Sequence, residues 1–204
     1  MVDRTLPFIA ILRGVQPDEV LVHARVLSAH GFEAVEVPTS SPDWAASVRL
    51  LAESYGDALA VGAGTVLSVE DVDALAATGA KLMVTPNTDA GVVRRAKSKG
   101  LRAVIGAMTP TEALAAVAAG ADALKIFPAS VVGPAFARAL GAVLPRKVPL
   151  YAVGGITVAN LATYAAGEWA GYGLGGELYR PGQSVGDTEA KAAAFRRAWE
   201  ELRT

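Results

Sequence analysis

The sequence predicts a (β/α)8 TIM barrel, the closed parallel form of the α/β class. Short β-prone runs alternate with Ala-rich amphipathic stretches at roughly 20–25 residues per unit, the rhythm of repeated βα units. The strand-like runs reach eight. Polar residues cluster just after them, at the end where barrel sites are built. An open doubly wound sheet is the competing architecture, and the strand count favours the barrel.

Strands are expected at Phe8–Leu12, Ala34–Val37, Ala58–Gly62, Lys81–Val84, Arg102–Ile105, Ala123–Phe127, Leu150–Val153 and Gly171–Leu174. Helices fall between them at Pro17–Ala29, Pro42–Ser54, Val69–Ala77, Asp89–Lys99, Thr111–Ala119, Pro134–Val143 and Val158–Ala166. A last helix over Thr188–Arg203 closes the chain. Ser68 with Asp71, and Thr109 with Glu112, have the spacing of an N-cap followed three residues later by an acid. Gly31, Gly79, Gly100 and Gly120 stand where helices must stop and the next strand begin. No linker or composition break divides residues 1–204, so one barrel domain is expected.

Composition narrows the function classes. With 52% hydrophobic and 19% charged residues, the chain suits a packed α/β protein and not a disordered one. A net charge of −1 gives no reason to expect a nucleic-acid partner. The absence of cysteine excludes disulfides and thiolate metal sites and fits a reducing compartment. Every apolar run is too short, or too broken by Gly and polar residues, for a signal peptide or membrane span. A soluble cytoplasmic protein is the expectation.

The chemistry-bearing residues sit at strand ends. Lys125 lies inside the apolar run Ala123-Leu124-Lys125-Ile126-Phe127. Strand parity puts it on one face with Ala123 and Phe127, while Leu124 and Ile126 take the other. A desolvated lysine loses basicity and becomes a nucleophile, so this position reads as a Schiff-base lysine facing the barrel interior. The alternative is a lysine whose amine reaches water from a strand end. Glu36 is in phase with Ala34 and opposite to Val35 and Val37. A carboxyl buried there has a raised pKa and suits a general base, unless it forms a structural ion pair with Arg13. Arg13, at the end of the first strand, is equally a bidentate ligand for a substrate carboxylate. Thr65 follows the third strand and offers a hydroxyl, or caps a turn.

Two glycine pairs follow the last two strands: Gly154-Gly155, and Gly175-Gly176 within Gly173-Leu174-Gly175-Gly176. Exposed backbone N–H groups there could cradle a phosphate, in the place where many barrels hold one. Glycine is also the default turn residue. Both histidines, His23 and His30, fall on the first helix and read as surface or packing residues and not metal ligands. No Walker loop or dinucleotide fingerprint occurs. Phe195, Trp199 and Leu202 on the last helix read as packing or oligomer contacts.

Four segments together carry a family resemblance: Ile9-Ala10-Ile11-Leu12-Arg13-Gly14, Gly62-Ala63-Gly64-Thr65-Val66-Leu67, Leu124-Lys125-Ile126-Phe127-Pro128-Ala129 and Ala152-Val153-Gly154-Gly155-Ile156. In this order the chain resembles the bacterial 2-keto-3-deoxy-6-phosphogluconate and -galactonate aldolases over nearly its whole length. Glu36-Val37-Pro38 with Ser40-Ser41-Pro42, Val84-Thr85-Pro86-Asn87-Thr88-Asp89, and Leu178-Tyr179-Arg180-Pro181-Gly182-Gln183-Ser184 look like the galactonate branch. Gly176 departs from that branch, which usually carries serine there, so a hydroxyl contact to phosphate is missing.

The resemblance implies a class I aldolase that needs no cofactor or metal, works on a phosphorylated 2-keto acid and assembles as a homotrimer. By the same resemblance Lys125 would form the imine and Glu36 act as acid and base. Arg13 would bind the carboxylate and Thr65 touch the keto-acid end, while Gly155, Gly175 and Gly176 would hold the phosphate through their backbone. The rivals are an aldolase for the gluconate epimer or for both epimers, and a barrel that binds a sugar phosphate without catalysis. A phosphosugar isomerase fits less well, because no histidine stands near a strand end.

Overall fold

The structure is a computed structural model describing residues 7–145 and 148–203. The expected domain span of 1–204 also takes in residues 1–6, 146, 147 and 204, which lie outside the described residues. Eight parallel strands close a barrel in sequence order, with the last pairing to the first. The strands are β1 (Phe8–Ile11), β2 (Ala34–Pro38), β3 (Ala60–Gly64), β4 (Leu82–Val84), β5 (Arg102–Ala107), β6 (Ala123–Ile126), β7 (Leu150–Val153) and β8 (Gly171–Leu174). The helices are α1 (Val20–Ala29), α2 (Trp44–Tyr55), α3 (Val69–Ala76), α4 (Ala90–Ser98), α5 (Pro110–Ala118), α6 (Ala129–Val132), α7 (Phe136–Gly141), α8 (Leu161–Ala165) and α9 (Val185–Glu201).

Local signals set the boundaries. The Ser68 hydroxyl accepts the Asp71 amide at 3.1 Å and opens α3. Thr109 and Glu112 form a reciprocal capping box at α5, with Pro110 as its first residue. Gly31, Gly79, Gly100 and Gly120 all adopt positive φ, the backbone that ends a helix most cheaply with glycine. After three of them the next amide reaches back five residues: Phe32 to Leu27, Leu101 to Ala96 and Ala121 to Ala116, each at 3.0 Å.

Several elements differ from expectation. The third strand begins at Ala60, two residues later than expected, because the amides of Ala58 and Leu59 still bond the Tyr55 carbonyl and finish α2. The strand also ends two residues later, which brings Ala63 and Gly64 into it. The short helix α6 directly after β6 is an extra element, and α9 starts at Val185 because Ser184 caps it by accepting the Asp187 amide.

Two apolar layers follow from strand parity. Val35, Val37, Leu124 and Ile126 point outward into the core shared with the helices. Ile9, Ile11, Ala34, Leu82, Val104, Ala123 and Tyr151 pack inside the barrel. At the start of the first strand, Phe8 packs against Phe195 and Trp199 of α9 with ring centroids 6.3 and 5.7 Å away. These two helix residues therefore serve packing, whereas Leu202 is exposed.

Candidate active site

The polar residues of the barrel interior lie toward the C-terminal ends of the strands. Glu36 follows Ala34, and Lys125 follows Ala123, each two residues further along an inward-facing row. Both side chains are buried, at 1% and 5% exposure. Burial pushes the Glu36 carboxyl up to about 7, opposed by the positive charges of Lys125 and then Arg13. Burial likewise lowers the Lys125 ammonium, opposed by Glu36 and reinforced by Arg13. Each group thus sits nearer its neutral form at physiological pH than it would in water. The Phe127 ring centroid lies 5.1 Å from Lys125 Nζ, within cation–π range. Phe127 lies one residue past the strand and not within it.

Glu36 Oε2 is fully buried and has no hydrogen-bond partner among the described residues. A buried carboxylate oxygen left in that state is costly unless protonated or met by a ligand or water. The space around it exists because Gly64 has no side chain.

Arg13 does not pair with Glu36. Its Nη1 donates to Ser40 Oγ at 2.9 Å and its Nη2 to Thr65 Oγ1 at 3.4 Å. Among the described residues no carboxylate lies within ion-pair distance of the guanidinium. Two hydroxyls therefore orient a charge that remains available for a ligand. Thr65 holds φ at +56°, a region that a β-branched residue avoids. Thr39 locks it there by donating its hydroxyl to the Thr65 carbonyl at 2.6 Å. Strain of this kind persists where the surroundings over-determine it, commonly beside a ligand.

Arg13, Thr65, Lys125, Gly155, Gly175 and Gly176 line one cleft of about 450 Å³ at this end of the barrel. The Gly155 carbonyl accepts from Asn160 Nδ2 at 2.8 Å, and the Gly176 carbonyl from Arg180 Nε at 2.9 Å. The amides of Gly155, Gly175 and Gly176 donate no hydrogen bond among the described residues. Unpaired N–H groups facing a cleft make an anion-binding concavity. A larger hollow of about 530 Å³, beside Leu144 and Trp169, contains none of these groups.

Residues 2–187 match the family of KDPG and KHG aldolases. The chain belongs to that family. It is 51% identical over 196 residues, 96% of either chain, to the 2-dehydro-3-deoxy-6-phosphogalactonate aldolase of Escherichia coli strain K12. It is 45% identical over 196 residues, 96% of this chain and 92% of the relative, to the probable 2-dehydro-3-deoxy-6-phosphogalactonate aldolase of Rhizobium meliloti strain 1021. The solved structure described as native KDPGal superposes with a TM-score of 0.94 at 50% identity, covering 97% of this chain and 96% of that one. The chain is accordingly an aldolase, a carbon–carbon lyase on a (β/α)8 barrel.

Sequence reasoning left unassigned several residues that support this aldolase's cleft. Thr39 and Ser40 hold Thr65 and Arg13, and Ser41 Oγ accepts the Gly14 amide at 2.9 Å. The signal was the unbroken hydroxyl run Thr39-Ser40-Ser41 just past the second strand. His23 is buried and its Nδ1 lies 2.9 Å from Thr188 Oγ1, while His30 faces Glu189 at 3.7 Å. Among the described residues no group of three His, Cys, Asp or Glu is placed to hold a metal. Nor is any described helix long and apolar enough to cross a membrane.

Proposed function

We propose that this aldolase cleaves 2-dehydro-3-deoxy-6-phosphogalactonate to pyruvate and D-glyceraldehyde 3-phosphate through a Schiff base on Lys125. The observation that carries the reading is a buried amine and a buried carboxyl on inward-facing rows of one barrel mouth, each shifted by burial toward its neutral form. The choice of the galactonate epimer rests on the names of the two relatives and on the branch-like segments after the second, fourth and eighth strands.

The neutral Lys125 amine adds to the C2 ketone, and loss of water gives an iminium. Arg13 holds the C1 carboxylate and Thr65 the keto-acid end, fixing C2 against the amine. Glu36, through a water, takes the C4 hydroxyl proton as the C3–C4 bond breaks. The bonding electrons pass into the iminium, leaving an enamine and releasing the aldehyde. Protonated Glu36 then returns the proton to C3, and hydrolysis of the pyruvate imine regenerates Lys125. A carboxyl whose pKa lies near 7 can take the proton and give it back within one turnover. Gly155, Gly175 and Gly176 receive the phosphate on their amides. The enzyme acts as one barrel domain in the cytoplasm, assembled as a homotrimer.

Borohydride added with pyruvate leaves a stable adduct on Lys125, read by peptide mass. An unlabelled Lys125, or undiminished turnover in Lys125→Ala, would falsify the Schiff-base role. Pyruvate release measured side by side on both epimers decides the substrate: faster cleavage of the galactonate epimer is expected, and the reverse order transfers the assignment to the gluconate one.

A further inference from the structure

Three cations line the cleft: Arg13, Lys125 and Arg180. The first two belong to the keto-acid end in the reading above. Arg180 stands on the loop that carries Gly175 and Gly176, and no role in aldol cleavage has yet been given to it. We propose that Arg180 is the cationic ligand of the substrate's phosphate and the residue by which this enzyme distinguishes phosphorylated from unphosphorylated 2-keto acids. The inference rests on the cleft being a phosphorylated 2-keto acid site.

Backbone amides alone offer a phosphate dianion only partial charges. Residue 176 supplies no hydroxyl, being glycine with its Cβ direction open for 4 Å, and the Tyr179 hydroxyl is spent on Glu19 at 2.8 Å. Full neutralisation therefore needs a nearby cation. The Arg180 guanidinium is already anchored over the cradle by its Nε–H to the Gly176 carbonyl at 2.9 Å. That bond spends one donor on orientation and leaves the terminal nitrogens to bind. Of these, Nη2 lies 3.8 Å from Glu177 Oε1. The pair is more than half exposed on both sides, so it is weak and readily exchanged for a phosphate.

The segment bearing Arg180 is pinned in place. The amides of Leu178 and Tyr179 both bond the Gly175 carbonyl, at 2.8 and 2.9 Å. Gln183 Nε2 donates to the Leu178 carbonyl at 2.9 Å. Pro181 packs so tightly on Gly14 that a Cβ there would lie 2.6 Å from its Cγ. The loop next to Arg13 thus buttresses the loop of Arg180.

The test compares kcat/KM for the phosphorylated substrate and for its unphosphorylated counterpart. The wild-type enzyme prefers the phosphorylated compound, and Arg180→Gln lowers that preference about 10–100-fold, chiefly through KM. Arg180→Lys, keeping the charge but not the fork, falls between the two. Labelling of Lys125 by pyruvate and borohydride, which involves no phosphate, verifies that each variant is folded. A wild-type preference ratio in both variants overturns the role of Arg180 while leaving the phosphate reading intact. No preference in the wild type sinks the phosphate reading itself, and this proposal with it.

Discussion

The Glu36 carboxyl rests on the α-carbon of Gly64: a Cβ built there would lie 2.0 Å from Glu36 Oε2 and 2.3 Å from Oε1. No side chain but hydrogen leaves room for the carboxyl at that place. Gly64→Ala therefore moves Glu36, not Lys125. Turnover is expected to fall about 100-fold, as misplacement by an ångström costs, while pyruvate still labels Lys125. Wild-type turnover in a folded Gly64→Ala enzyme would show that the carboxyl's position is immaterial.

Glu36→Gln removes the proposed proton acceptor but not the amine. Imine formation persists and turnover drops about 10²–10⁴-fold, measured by single-turnover trapping against steady-state pyruvate release. In the wild type, kcat/KM should rise through an acid limb near pH 7, where the carboxyl ionises. A pH-independent rate between 5 and 8 would contradict this.

The same raised pKa carries a stability sign. The folded carboxyl keeps its proton up to about pH 7, whereas the unfolded one loses it near its ordinary value of 4.5. Between those values the folded state binds more protons, so raising the pH costs stability. Glutamine cannot ionise and escapes the cost. The Tm advantage of Glu36→Gln over wild type is expected to grow from pH 5 to pH 8; an unchanged gap would mean that the carboxyl is not desolvated.

Arg13 is oriented by Ser40 and Thr65 hydroxyls, an arrangement that spends no opposite charge on it. Arg13→Gln should raise KM about 10–100-fold, the worth of a charge-assisted bond to a carboxylate, and also lower kcat through a loosely held C2. Ser40→Ala, which frees the guanidinium without removing it, should give a smaller change in the same direction. An unaltered KM in Arg13→Gln would place the carboxylate elsewhere.

Much of this enzyme is local information, and so was legible in the chain itself. Eight βα repeats, the capping box at Thr109 and the glycines ending four helices need only short-range chemistry. The inward parity of Lys125 and Glu36 follows from a period of two along a strand. The placement of the Gly-Gly pairs after the last two strands follows from counting. At the start of the third strand, a turn's hydrogen bonds to Tyr55 outweigh the apolar composition.

What only the tertiary structure decided are the relations across the barrel mouth. Sequence left Arg13 free to pair with Glu36 or with a ligand, and closure resolved it by bringing Ser40 and Thr65 to the guanidinium. It likewise offered no reason for Gly64 to be glycine, because the clash it avoids is with a residue on the neighbouring strand. Arg180 read as part of a loop motif until folding set it over the Gly176 carbonyl beside the glycine cradle. Periodicity tells which way a side chain points; which group it meets there depends on the register and closure of all eight strands.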